Sequence, residues 1–276
     1  MKNILLFFIA LMFSLTALAD APLNESSAAA LIEKSGLKLQ IENLPEMLDQ
    51  QLIMMERQGG PLPPERRTRF REAMLKVYDQ KRLLPRIETG VEQALSPEDR
   101  RQILKFLDSP LGRKIIAAEN AMASKEAMAT LEQEGPALME KLMKDSTRLA
   151  LIQSLDNATQ ATDMATDTNI ATALATNYAL ISQSNMPEKP SFEQIKSEYE
   201  KNRLPIRMQM AQAILTGMAM SYRNLSNEEL ADYLAFANSP TGKRYFLGIG
   251  RVLDRVLVEA AFEFGKALAD ADRKAI

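Results

Sequence analysis

A short element that joins serine, proline, glycine and two basic residues occurs twice in this chain, 130 positions apart. The copies are Ser109-Pro110-Leu111-Gly112-Arg113-Lys114 and Ser239-Pro240-Thr241-Gly242-Lys243-Arg244. Aligned without gaps, residues 95–114 and 225–244 are identical at eight of twenty positions. Two unrelated segments of twenty residues rarely share so many identities without a gap. The chain is therefore predicted to contain an internal duplication, which restricts the fold to one that two similar units can build.

Each copy is predicted to be a helix, a sharp corner and a second helix. The first helix begins with a serine three residues before a carboxylate, as in a capping box; the pairs are Ser96 with Asp99 and Ser226 with Glu229. The serine of each Ser-Pro pair is a good N-cap, and proline fits the first position of the next helix. The glycine two residues after the proline would let another helix approach closely.

These residues resemble a family of bacterial exported proteins, the domain of unknown function twenty fifty-nine, whose members carry an L-S-x-E-E-L...F...S-P-x-G-K-K core in a helical domain. Residues 225–244 match that core closely. Residues 95–114 match it less well, since the first copy departs from it at Pro97, Asp99 and Arg100. The resemblance implies an all-helical envelope protein with two copies of the domain. It implies no activity, because the family is uncharacterised.

The N-terminus is typical of a secretory signal peptide. Met1-Lys2-Asn3 precedes an uncharged apolar run over residues 4–18, and Ala17 and Ala19 place small residues where a signal peptidase reads them. We predict cleavage after residue 19, a periplasmic location, and no stable membrane span after cleavage. An uncleaved anchor is the alternative.

The residue types exclude several kinds of chemistry. The chain has no histidine and no cysteine, which removes Ser-His-Asp and Cys-His catalysis, disulfides and the usual zinc ligands. Its 34 basic and 36 acidic residues give a net charge of −2. That balance argues against a nucleic-acid partner, which needs a concentrated basic surface. We predict no cofactor and no metal site, and the oligomeric state stays open.

The composition favours helix nearly throughout, because alanine, leucine, methionine, glutamate and lysine are abundant and valine is scarce. The predicted fold class is all-α, a helical bundle built from two related repeats over residues 20–147 and 148–276. The boundary is placed at the break predicted near Asp145. Residues 137–186 contain neither glycine nor proline, so one long helix there is the alternative.

Glycine and proline predict three irregularities in the helices. They are a boundary or kink near Pro85, an interruption at Gly135-Pro136 and a kink or break at Pro205. Residues 159–177 are rich in alanine and threonine, and small residues on one face of a helix there would permit close packing. Low-complexity disorder is the alternative for this segment.

The two corners supply the candidate ligand contacts. Helix N-terminal N–H groups beside basic side chains form a plausible site for an anion or a partner. The candidate residues are Ser109, Gly112, Arg113, Lys114, Ser239, Gly242, Lys243 and Arg244. A tight corner with solvated basic side chains explains the same pattern, and no residue is assigned a catalytic role.

Three functions are compatible with the sequence. The favoured one is a non-catalytic binding or assembly role in the bacterial cell envelope, with an envelope protein as partner. A carboxylate-based hydrolase of cell-wall glycan is the second, and its candidate acids lie at capping positions: Glu98, Asp99, Glu228 and Glu229. A methionine-based carrier of a soft metal or a small apolar ligand is the third, using Met208, Met210, Met218 and Met220. Core filling is the alternative role of these methionines.

Overall fold

The computed structural model describes residues 26–122, 125–183 and 187–273, and the predicted signal segment, residues 1–19, lies outside them. The first half contains α1 (Ala28–Lys34), α2 (Leu37–Gly59), α3 (Pro64–Val77), α4 (Gln80–Ala94), α5 (Pro97–Leu107), α6 (Pro110–Ala121) and α7 (Lys125–Lys144). The second half contains α8 (Ser146–Thr159), α9 (Ala161–Ser182), α10 (Phe192–Lys201), α11 (Arg203–Ser221), α12 (Asn227–Asn238) and α13 (Pro240–Arg273). These ranges hold no strand, which confirms the all-α fold class.

Serine side chains begin α5 and α12 as the sequence predicts. The Oγ of Ser226 accepts the backbone N–H of Glu229 at 3.1 Å, and the Glu229 carboxylate accepts the backbone N–H of Ser226 at 2.8 Å, which completes a capping box. Ser96 also caps its helix, accepting from the N–H of Asp99 at 3.1 Å. Its hydroxyl donates to the Asp99 carboxylate at 2.7 Å, so this second cap differs in detail.

The two Ser-Pro-x-Gly corners have the same local geometry. Ser109 Oγ accepts the N–H of Gly112 at 3.0 Å and donates to the carbonyl of Phe106 at 2.6 Å. The Oγ of Ser239 makes the equivalent bonds, to the Gly242 N–H and the Phe236 carbonyl, at the same two distances. In both corners, therefore, one hydroxyl joins the end of one helix to the start of the next.

Each corner needs a glycine because the end of the preceding helix lies too close to leave room for a side chain. A Cβ atom on Gly112 would lie 2.1 Å from the carbonyl oxygen of Phe106, and one on Gly242 would lie 2.0 Å from that of Phe236. The close approach predicted at these glycines is present. The approaching element is the last turn of the preceding helix, which the corner folds back against.

The predicted interruption at Gly135-Pro136 is wrong, because α7 continues through it. The boundary predicted near Pro85 is also wrong, because α4 continues through that residue, while the kink given as its alternative stays a prediction. The apolar face of α4, with Leu83, Ile87 and Val91 all buried, spans the proline, so packing outweighs the hydrogen bond that proline removes. Pro205 is the third residue of α11 and so falls in a first turn, where its missing N–H costs no helical bond.

The predicted break near Asp145 is confirmed, since α7 ends at Lys144 and the Asp145 side chain caps α8 by accepting the N–H of Arg148 at 3.0 Å. A second break was missed. Gln160, with φ of 56° and ψ of 29°, turns the chain from α8 into α9. Residues 137–186 therefore do not form one helix.

The alanine- and threonine-rich segment is the helix α9, not a disordered stretch. Buried threonine hydroxyls find acceptors within the helix or on a neighbouring one; Thr166 Oγ1 donates to the carbonyl of Thr162 at 2.7 Å, and Thr176 Oγ1 to that of Ala261 in α13 at 3.1 Å. The small side chains let α13 come very close, since a Cβ on Gly265 would lie 2.3 Å from the carbonyl oxygen of Thr176. The close packing expected on this face is present.

The apolar core joins the two halves of the chain. The first of three buried clusters draws on α1 to α6 and also on α13, which contributes Tyr245, Ile249, Val252, Leu253, Val256, Leu257, Ala260 and Phe264. A second cluster combines α6 and α7 with α8, α11 and α12, and a third lies among α9, α10 and α11. The division into repeats over 20–147 and 148–276 stays a prediction, and helices from both sides of that boundary share a core.

Replacing a corner glycine tests whether the fold depends on the close approach. We expect Gly112→Ala and Gly242→Ala each to lower the free energy of unfolding by about 2–3 kcal/mol, because the new methyl group meets backbone that cannot yield easily. Urea unfolding followed by circular dichroism measures the loss.

Gly135→Ala is the matched control for both corner variants. A Cβ there approaches only a methyl group of Thr216, at 3.3 Å, and alanine favours helix, so stability should change by less than about 1 kcal/mol. Equal losses at Gly112, Gly242 and Gly135 would contradict the proposed role of the corners.

Candidate functional site

The two corners contact each other through equivalent residues. Phe106 and Phe236, which are 130 positions apart, stack with ring centroids 3.6 Å apart and planes 2° from parallel. Two ion pairs also join each corner to the first helix of the other segment: Lys114 with Glu229 at 2.6 Å, and Arg244 with Asp99 at 2.7 Å. Lys114 stands at the position of Arg244, and Asp99 at that of Glu229, so the two ion pairs are reciprocal.

These contacts already occupy many of the groups that were predicted to bind an anion. At each corner one N-terminal N–H group already bonds to the serine hydroxyl, and the basic side chains of Lys114 and Arg244 contact carboxylates in the first turns of α12 and α5. The Arg113 guanidinium donates to the carbonyl of Asp108. The Lys243 side chain is exposed. The eight predicted residues thus form two corners, each beside the start of a helix from the other half of the chain, and their role in binding a ligand stays a prediction.

The carboxylates of the corners are held in their charged form. Hydrogen bonds from Ser96 and then from Arg244 lower the pKa of Asp99. Hydrogen bonds from Lys114 and from the Ser226 N–H lower the pKa of Glu229. Such groups suit capping and ion pairing, and neither has the raised pKa of a general acid.

A second candidate site, which the sequence did not reveal, is a cavity of about 90 Å³ between α6, α9, α11, α12 and α13. Its walls are mainly apolar and include Ile214, Met218, Ile249 and Leu253, with the aromatic rings of Tyr222, Tyr233, Tyr245 and Phe246. Half-buried residues of α9 and α11, Met164 and Met218 among them, line its outer end. We refer to this space as the Glu119 cavity.

Glu119 of α6 is the one carboxylate among the described residues that line the cavity. It is only 3% exposed. Its Oε1 accepts hydrogen bonds from the Tyr222 hydroxyl at 2.5 Å and the Tyr233 hydroxyl at 3.3 Å, whereas its buried Oε2 has no hydrogen-bond partner. No lysine or arginine is found among the same described lining residues. The site therefore contains a buried acid without a basic counterpart.

Burial controls the protonation of this site. Loss of solvent raises the pKa of Glu119 to about 7, and the hydrogen bonds from Tyr222 and Tyr233 reduce that effect. Burial and the nearby carboxylate also raise the pKa of Tyr222 and of Tyr233 well above the usual tyrosine range. Both tyrosines are consequently neutral donors at any ordinary pH, and Glu119 is the group that titrates.

The polar side of the cavity comes from α9. Thr168, Asn169 and Thr172 line it, with the Thr168 hydroxyl donating to the Asp254 carboxylate at 2.8 Å. The described residues contain no cluster of three or more acidic, histidine or cysteine side chains that could hold a metal ion. The arrangement can accept hydrogen bonds and hold positive charge.

The methionines predicted as soft ligands do not share one site. Met208 is 66% exposed on α11, while Met210 is buried in the cluster with α9 and α10. The sulfur of Met220 accepts a hydrogen bond from Arg223 at 3.1 Å. Only Met218 of the four lines the Glu119 cavity, where it is joined by Met164, which was not predicted. In the cavity, Met164 and Met218 form a flexible, apolar part of the wall.

A weak signal of the cavity is present in the sequence. Glu119 follows Ile115 and Ile116 at helical spacing, which places a lone carboxylate among residues that face a core. Its partners Tyr222 and Tyr233 lie more than 100 positions away, and no local pattern connects them to it. The sequence can therefore indicate the buried acid, but it cannot indicate the residues that surround it.

Fold and site together define an all-α protein with an internal, mostly apolar cavity and one buried acid. Residues 82–144 match the model of a family described as an uncharacterized protein conserved in bacteria, DUF2059. The family resemblance is therefore confirmed for the segment from α4 to the end of α7, which holds the first corner and Glu119. The second copy lies outside the matched range, so the presence of two copies stays a prediction.

Comparison with curated proteins and with solved structures found no match. Among the helices of the described ranges, none has the length and hydropathy needed to cross a bilayer.

The raised pKa of Glu119 predicts how stability depends on pH. Between pH 4.5 and about 7 the folded state holds a proton that the unfolded state has lost, so the free energy of unfolding falls as pH rises through this window. Glu119 accounts for a fall of at most about 3 kcal/mol in the free energy of unfolding. Glu119→Gln, which cannot ionise, should lack it.

Urea titrations at pH 5 and pH 8 measure this difference. Glu140→Gln is the control, because Glu140 is exposed on α7 and should leave the pH dependence unchanged. If wild type and Glu119→Gln lose the same stability between the two pH values, Glu119 does not titrate in this range.

Proposed function

We propose that this protein is a non-catalytic binding protein of the bacterial cell envelope, and that it takes a small, mostly apolar ligand into the Glu119 cavity. The observation that carries the proposal is the buried Oε2 of Glu119, which reaches no hydrogen-bond partner inside a space with apolar walls. A buried acceptor without a partner costs about 1–3 kcal/mol. A ligand that donates a hydrogen bond there removes that cost.

Two observations support the envelope location. The first 19 residues have the charge, apolar run and small residues of a cleaved export signal. The family that matches residues 82–144 is bacterial. A chain without cysteine also needs no particular redox environment to fold.

The position of the acids favours binding over glycan hydrolysis. Glycoside hydrolysis ordinarily uses two carboxylates on either side of the bond that breaks, about 5–10 Å apart. The predicted acids all lie in the first turns of α5 and α12: Glu98, Asp99, Glu228 and Glu229. Glu119 has the raised pKa of a general acid, but no second carboxylate is found among the described residues of its cavity.

The outer end of the cavity indicates how a ligand enters. Met164, Ala165 and Thr168 of α9 are half-buried there and face Met218 of α11. Methionine side chains are unbranched and change rotamer easily, so they can open without movement of the helices. The third function predicted from the sequence is a methionine-based carrier of a soft metal or of a small apolar ligand. Of its four predicted methionines, only Met218 lies at the described cavity wall, which favours an apolar ligand over a soft metal.

The test uses protein with ¹³C-labelled methionine methyl groups and butan-1-ol as the probe. In methyl NMR spectra we expect saturable shifts of the Met164 and Met218 signals, because both side chains line the cavity. The signal of Met143, which is 63% exposed on α7, should stay in place and serves as the internal control.

Ala165→Phe is the blocking variant. The added ring should fill the outer end of the cavity and abolish the butan-1-ol shifts at Met164 and Met218. Uniform small shifts at all methionines, or shifts that survive in Ala165→Phe, would mean that the alcohol does not occupy the Glu119 cavity.

A further inference from the structure

We infer that the ligand of the Glu119 cavity is a small organic ammonium ion, with its charged group against the Glu119 carboxylate and its carbon atoms against the aromatic and aliphatic walls. This inference rests on the proposed function and specifies its ligand class. It follows from three features of the cavity, which are the charge left without a counterpart, the aromatic lining and the size.

The first feature is the unbalanced charge. Glu119 lies in the protein interior, and its protein partners Tyr222 and Tyr233 both donate to Oε1. Oε2 has no hydrogen-bond donor, and neither lysine nor arginine is found along the described wall. An ionised buried carboxylate is unfavourable unless a cation is close to it. A ligand ammonium group provides both the missing donor and the missing charge.

The second feature is the aromatic lining. Four rings face the same space as the carboxylate: Tyr222, Tyr233, Tyr245 and Phe246. The faces of such rings carry partial negative charge and attract cations, most strongly where water is excluded. The rings are held in place by one another, with centroids 5.8 Å apart for Tyr222 and Tyr233 and 4.9 Å apart for Tyr245 and Phe246. A carboxylate surrounded by fixed rings is suited to an ammonium ion.

The third feature is size, which limits the ligand to a few carbon atoms. A cavity of about 90 Å³ has room for a few water molecules or a short carbon chain. Pockets that hold drug-sized ligands measure about 300–1,000 Å³, which is several times larger. Anions are disfavoured by the charge of Glu119. A hydrocarbon would leave Oε2 without a donor, and an alcohol supplies the donor but not the charge.

The test compares butylammonium with butan-1-ol, which have the same carbon chain and differ in charge. At pH 8 Glu119 is ionised, and methyl NMR titration should show butylammonium binding at least about tenfold more tightly. Glu119→Gln keeps the shape of the side chain and one oxygen acceptor, and it removes the charge. In that variant we expect butylammonium to bind at least about tenfold more weakly and butan-1-ol to change less than about threefold.

A second measurement does not depend on a variant that folds. At pH 5 Glu119 is protonated and Tyr222, Tyr233 and Tyr245 remain neutral, so wild-type protein should lose its preference for butylammonium. Equal affinities at pH 8, or a preference that persists at pH 5, would overturn the ammonium assignment while leaving the proposed function in place. Failure of both probes to bind the cavity would overturn the proposed function itself.

Discussion

Burial of α13 against the helices of the first half is the interaction on which the rest of the structure depends. One face of α13 contributes Val252, Val256 and Phe264 to the core formed with α1 to α6. Another approaches α9 so closely that Gly265 leaves no room for a side chain against the backbone of Thr176. Because α13 also forms a wall of the Glu119 cavity, the packing that closes the fold and the packing that shapes the cavity depend on the same helix.

The corners show how the two halves meet. Phe106 stacks on its equivalent, Phe236, and the ion pairs join Lys114 to Glu229 and Arg244 to Asp99, again between equivalent positions. Contacts of this reciprocal kind are expected where two like units pack about a local twofold axis. They support an ancestral duplication as a proposal. The exposed ion pairs contribute little stability, so the ring stack and the buried clusters carry the interface.

Local features of the fold could be predicted from sequence, and features set by distant packing could not. Serine caps, the two corners and the break at Asp145 follow from a few neighbouring residues. The helix through Gly135-Pro136 and the turn at Gln160 depend on which faces become buried, and the sequence pattern does not contain that information. The cavity was missed for the same reason, because Glu119 gains its environment only when α11, α12 and α13 pack around it.

The proposed ligand of the Glu119 cavity would couple occupancy of that cavity to the lifetime of the protein. A compound that binds only the folded chain raises the free energy of unfolding by mass action. Proteases cleave chains while they are open, so an empty molecule would be degraded sooner than a filled one. The abundance of such a protein would then follow the supply of its ligand, with no change in the rate of its synthesis.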